Sequence, residues 1–100
     1  MRFTRDQIHG LVIEYLLKCL GDKTPTVPIG NDTDPINELG LESIEGVHFA
    51  CILSDKLSFK IPVKVNPLVN DKKRRARTVG EVVEFLHKMI LAHEEEKKNG

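Results

Sequence analysis

Twice in this chain a threonine stands three places ahead of a glutamine or glutamate, and an apolar run at helical spacing follows each time. Thr4-Arg5-Asp6-Gln7 and Thr78-Val79-Gly80-Glu81 both have the capping-box form, in which the two side chains satisfy free amides at a helix start. After the first, Ile8, Leu11, Val12, Tyr15, Leu16 and Cys19 fall on one face and the run stops before Gly21. After the second, Val79, Val82, Val83, Leu86 and Ile90 do the same. Two helices so marked, one near each end, commit the chain to a helical core.

Between them the pattern changes. From Gly21 to Thr33 the chain holds Pro25, Pro28, Gly30 and Asn31 with neither helical nor strand period, which predicts a long ordered loop. Asp34-Pro35 predicts a capped short turn that Gly40 can end in a left-handed conformation. A middle helix is expected from about Ser43 to residue 58, with Ile44, Val47, Cys51, Leu53 and Leu57 on its apolar side, and Ile61-Pro62 marks the break after it. Val65, Leu68 and Val69 beside Pro67 suit a short packed helix or turn, and no strand pattern is evident. The expected fold is therefore all-α: a small bundle of three main helices plus a short helix, with a long first loop. Residues 1–93 form the expected domain and 94–100 a charged, flexible tail.

With 100 residues, 40% of them hydrophobic, the chain can build one small core without metals or staples. Fifteen basic residues balance fifteen acidic ones, so no global field argues for nucleic acid or membrane. No stretch has the uninterrupted apolar core of a leader or a membrane span, and a cytoplasmic monomer is expected. Cys19 and Cys51 form no CxxC pair and lie in apolar stretches, which predicts buried thiols in a reducing compartment. His9, His48, His87 and His93 lack metal-site spacing, so no metal is expected.

Ser43 raises the functional question, because it sits between Glu42 and Ile44 just after Gly40 and at the head of the middle helix. A catalytic serine needs a base within reach and donors for an oxyanion, and neither is evident: His48, five positions on, lies roughly 140° around the helix. No catalytic residue is assigned, and the chain is not expected to be an enzyme. A serine modified by another protein needs exposure, rigid presentation and tolerance of an anion, which the first turn of a helix supplies through free amides and a positive dipole end. The plain alternative is a helix cap, worth about 1 kcal/mol. Gly46 adds a hint, since glycine inside a helix costs about 1 kcal/mol relative to alanine; either a partner or a packed neighbour approaches closely there.

The order Leu39-Gly40-Leu41-Glu42-Ser43-Ile44, followed by Ile61-Pro62 and then Thr78-Val79-Gly80-Glu81-Val82-Val83, resembles the acyl carrier protein family. The likeness runs from the first helix to about Leu91. It implies an acyl-carrier-like bundle in which Ser43 receives 4'-phosphopantetheine from coenzyme A through a separate magnesium-dependent phosphopantetheinyl transferase. The arm's thiol would then carry acyl intermediates as thioesters among acyl-loading and acyl-transferring enzymes of fatty-acid, lipid or polyketide-type biosynthesis. Glu42 stands where the family usually has aspartate and Ile44 where it usually has leucine; with Glu45 and Val47 they are the expected partner-recognition residues. An aminoacyl or peptidyl carrier would use the same arm.

This chain departs from that family in being neutral and in its longer connection from Ile61 to Thr78, which carries Lys72, Lys73, Arg74, Arg75 and Arg77. That basic loop is the expected selector of partners. A rival reading makes the protein a non-carrier binding module using the loop on an acidic partner or nucleic acid. None of the aromatics falls within the run, so stable nucleic-acid binding is not expected.

Overall fold

The computed structural model describes residues 4–21, 29–57, 60–62, 65–70, 72–73 and 75–99, and the side chains of Ser43 and of 95–99 lie outside that description. Helix α1 (Arg5–Leu20) begins with the expected capping box: Thr4 Oγ1 accepts from the Gln7 amide at 3.2 Å, and Gln7 Oε1 accepts from the Thr4 amide at 2.9 Å. It buries Ile8, Val12, Tyr15, Leu16 and Leu20, with Leu11 and Cys19 partly covered. Helix α2 (Ser43–Leu57) and helix α3 (Val79–Asn99) complete the core, and α1 packs against both. All five expected core residues of α3 are buried. Among the described residues no helix is long and apolar enough to cross a membrane.

The middle of the chain is organised by side chains that capture backbone amides. Asp34 Oδ1 accepts from the amides of Ile36 and Asn37, both at 2.9 Å, and the turn closes through the Leu41 amide donating to the Pro35 carbonyl at 3.1 Å. Gly40 has φ of 76°, a conformation other residues resist, and it lets the chain reverse while Leu39 and Leu41 on either side enter the core. Carbonyls of the preceding loop do a second job. Thr33 O accepts from the Val79 amide at 2.8 Å and Asn31 O from the Gly80 amide at 2.9 Å, so the loop satisfies the free start of α3.

Two expectations need correction, the core face of α2 and the lack of any strand. The core face of α2 is Phe49, Ala50, Leu53 and Leu57, whereas Ile44 is 57% exposed, Cys51 is exposed and Val47 is half-buried. Phe49 decides this rotation, since an aromatic ring buries more apolar area than the smaller side chains facing outward. Near Val65–Val69, where a short packed helix or turn was expected, the described residues form the turn. There Asn66 Oδ1 accepts from the Leu68 amide at 3.0 Å and Asn66 O from the Val69 amide at 3.1 Å, a turn that competes with helix beside a proline. A two-stranded antiparallel ribbon follows, β1 (Val69–Asn70) with β2 (Arg75–Ala76), in register Val69 opposite Ala76 and Asn70 opposite Arg75. Strands of two residues are too short to leave an alternating pattern in a sequence. The backbone of α3 continues as helix past His93 to Asn99.

Candidate functional site

Ser43 is the first helical residue of α2, one step inside the helix from Glu42. Its backbone position follows from the buried anchors Leu39 and Leu41, the left-handed Gly40 between them, and the opening hydrogen bond from the Glu45 amide to the Glu42 carbonyl at 3.0 Å. The Ser43 hydroxyl lies outside the described residues. Its neighbours Glu42 and Ile44 are exposed, and Glu45 adds a carboxylate to the first turn, where the helix dipole favours negative charge.

At about 100° per residue, Ile44, Val47, His48 and Cys51 share one outward band of α2 roughly 100° wide. The four residues expected for recognition therefore divide. Ile44 and Val47 lie on this band, Glu42 stands at its head, and Glu45 turns toward α1. There it lines a groove of about 320 Å³ with Lys18, Cys19, His48 and Ile52. Burial, and secondarily the Glu45 carboxylate, push the Cys19 thiol up from its ordinary value, which keeps it protonated and a poor nucleophile. Cys51 is exposed, which corrects its expected burial.

Gly46 faces inward, and what approaches it is the carboxamide of Asn66. A Cβ built on Gly46 would stand 2.6 Å from Asn66 Cγ and 2.8 Å from Nδ2. The close approach suspected at Gly46 is thus internal packing, and it ties the 65–70 segment to the turn that follows Ser43.

The basic run is split by the fold. Arg75 forks onto Glu81, Nη1 donating to Oε1 at 3.1 Å and Nη2 to Oε2 at 2.6 Å. Arg77 is half-buried: Nη1 donates to Val69 O at 2.7 Å, with Pro67 O at 3.3 Å and Asn66 O at 3.4 Å, and its guanidinium lies 3.8 Å from the centroid of the Phe85 ring. Lys72 and Lys73 are exposed at the ribbon's tip, and Arg74 lies outside the described residues. Asn66 and Glu81 were not singled out as partners of these cations by sequence; Asn66-Pro67 was the available turn marker.

Glu81 serves two elements at once, because its Oε1 also accepts from the Thr78 amide at 3.0 Å in the second capping box. The Arg75 fork foremost, then the Thr78 amide, hold its carboxyl down at about 2. A carboxylate whose folded value is depressed contributes stability above its unfolded value and loses it as pH falls through the folded one. Glu81→Gln keeps the capping geometry, as Gln7 does in α1, and removes the charge. The stability gap between parent and variant, read by urea denaturation, is expected to be constant above about pH 5 and to close between the ordinary value of 4.5 and about 2.

Among the described residues no three of His, Cys, Asp and Glu gather as a metal site. No family model, curated protein or solved structure matches this chain.

Proposed function

We propose that the protein is a carrier, with Ser43 as the attachment point for 4'-phosphopantetheine, and that it is a substrate of other enzymes and has no catalytic site of its own. The observation that carries this reading is the position of Ser43 at the start of a fifteen-residue helix, behind a left-handed glycine turn anchored by two buried leucines and between exposed Glu42 and Ile44. The backbone there fits a phosphodiester: helix-start amides and the positive dipole end favour an anion. The exposed flanks leave a route for a modifying enzyme.

When bound, the group supplies a thiol that holds acyl cargo as a thioester. The chain's own residues do the rest. Leu39 and Leu41 fix the approach to α2, so that Ser43 is presented on a rigid element. Glu42 and Glu45 give this end a negative field that steers a basic partner surface, and Ile44 offers an apolar contact once it has docked. Fatty-acid, lipid or polyketide-type intermediates are the proposed cargo.

Intact mass after incubation with coenzyme A, magnesium and a broad-specificity phosphopantetheinyl transferase tests the assignment. The parent is expected to gain one phosphopantetheinyl group and Ser43→Ala none, with both giving the same helical circular dichroism. Uptake by Ser43→Ala, or none by the parent, would overturn it.

A further inference from the structure

Of the five cations in the basic run, the fold places two in internal work and holds two out. Arg75 and Arg77 fasten the ribbon to α3 and to its own turn, while the Lys73 amide donates to Asn70 Oδ1 at 3.2 Å and shapes the tip on which Lys72 and Lys73 are exposed. The result is a basic point on a braced support. We infer that this tip is a second docking point for the partner that engages the Ser43 end of α2, and that it meets a cluster of carboxylates on that partner protein. The inference rests on the carrier reading for the partner's identity.

Position is the first argument. Gly46 is three residues along α2 from Ser43, about 4.5 Å of helix rise, and Asn66 sits against it. From Asn66 to Asn70, where the tip begins, is four residues, at most about 14 Å of chain. With about 6 Å added for the Gly46–Asn66 contact and about 7 Å for the two residues from Asn70 to Lys72, the tip lies within roughly 30 Å of Ser43, about the width of one protein interface of ordinary size, about 800 Å² a side. Glu42 and Glu45 mark one end of this span and Lys72 and Lys73 the other, so a fitting partner carries both signs in the reverse order.

Charge distribution favours a protein over a nucleic acid. Beside the ribbon, Asp32, Glu81 and Glu84 line an open groove with Asn70, Arg77 and Lys88, and Glu81 and Glu84 are paired with Arg75 and Arg5, so the groove carries little net charge. A phosphate chain long enough to pass the tip finds no extended basic track beside it, whereas a compact acidic cluster needs only the tip. Two lysines neutralise two phosphates, which gives a salt slope of only about −1.8.

The probe is a short oligoglutamate peptide, titrated into the parent with amide shifts read by NMR. Shifts are expected to centre on the ribbon and its tip, and affinity to fall as salt rises from about 50 to about 200 mM, because exposed charge pairs are screened. Lys72→Glu with Lys73→Glu is expected to abolish binding with the helical spectrum unchanged. Lys56→Glu with Lys60→Glu, exposed lysines elsewhere, is expected to retain it. Equal binding by the Lys72/Lys73 variant overturns the inference, and so does tighter tip-dependent binding of duplex DNA or of phosphatidylglycerol vesicles. Arm loading, measured by mass on the same samples, separates the two ideas. A parent that binds peptide but never takes up phosphopantetheine sinks the carrier reading alone; a parent that loads but shows no tip-dependent binding sinks the second docking point alone.

Discussion

Gly46→Ala is expected to destabilise the fold by about 1–2 kcal/mol, although the same change in an exposed helix interior gains about 1 kcal/mol. The new methyl would lie 2.6 Å from Asn66 Cγ, far inside the ordinary contact range of 3.4–4 Å. Asn66 must then swing away, and its Oδ1 leaves the amide of Leu68, a residue only 1% exposed. A buried amide without an acceptor costs about 1–3 kcal/mol, which outweighs the gain in helix propensity. For a domain of this size the melting midpoint should fall by roughly 5–15 °C. The check is a reversal of sign: in an Asn66→Gly background, with no carboxamide to strike, Gly46→Ala should raise the midpoint. If it lowers the midpoint equally in both backgrounds, the contact between Gly46 and Asn66 is not what requires glycine.

That pair also shows what could be read from sequence and what could not. Gly46 was legible as a place of close approach because a glycine inside a helix has a local cost that needs a reason. Its partner was not, since Asn66 reaches it across twenty positions of chain and carries no periodic mark. Both capping boxes and the apolar faces of α1 and α3 were legible for the same local reason: Thr4 with Gln7, and Thr78 with Glu81, interact within one turn. The face of α2 was misread because Ile44, Val47 and Cys51 have the right spacing for a stripe, and only tertiary packing of Phe49 decides which stripe goes inward. Ser43 was placed correctly at the helix start because Gly40 and the two leucines act on immediate neighbours.

The 65–77 connection was illegible for a different reason. Read as a string, Lys72 to Arg77 is a run of like charge, and like charge is ordinarily a solvated loop. Its fold depends on which cation finds which oxygen, and those oxygens are backbone carbonyls and one distant carboxylate. The first turns of α2 are thus coupled to this connection through Asn66, which both contacts Gly46 and supplies a carbonyl to Arg77.

Two arginines separated by one residue should consequently behave very differently when truncated. Arg77→Ala is expected to cost about 3 kcal/mol. It removes charge-assisted hydrogen bonds to the carbonyls of Val69, Pro67 and Asn66, worth about 1.5–3 kcal/mol together with the desolvation left behind, and a half-buried cation–π contact with Phe85 worth about 1 kcal/mol more. Arg75→Ala breaks a fork whose two side chains are 46% and 35% exposed, where solvent screening discounts the pair, so the midpoint should fall by clearly less than for Arg77→Ala. Arg77→Lys should recover part but not all of the Arg77→Ala loss, because the three carbonyls accept from Nη1 alone, a point one ammonium can imitate, whereas an ammonium has no planar face for Phe85. Urea denaturation of the three variants beside the parent gives the ranking directly. Equal losses at 75 and 77, or full rescue by lysine at 77, would mean that net positive charge in the ribbon, and not the bonding of Arg77, holds the turn against α2.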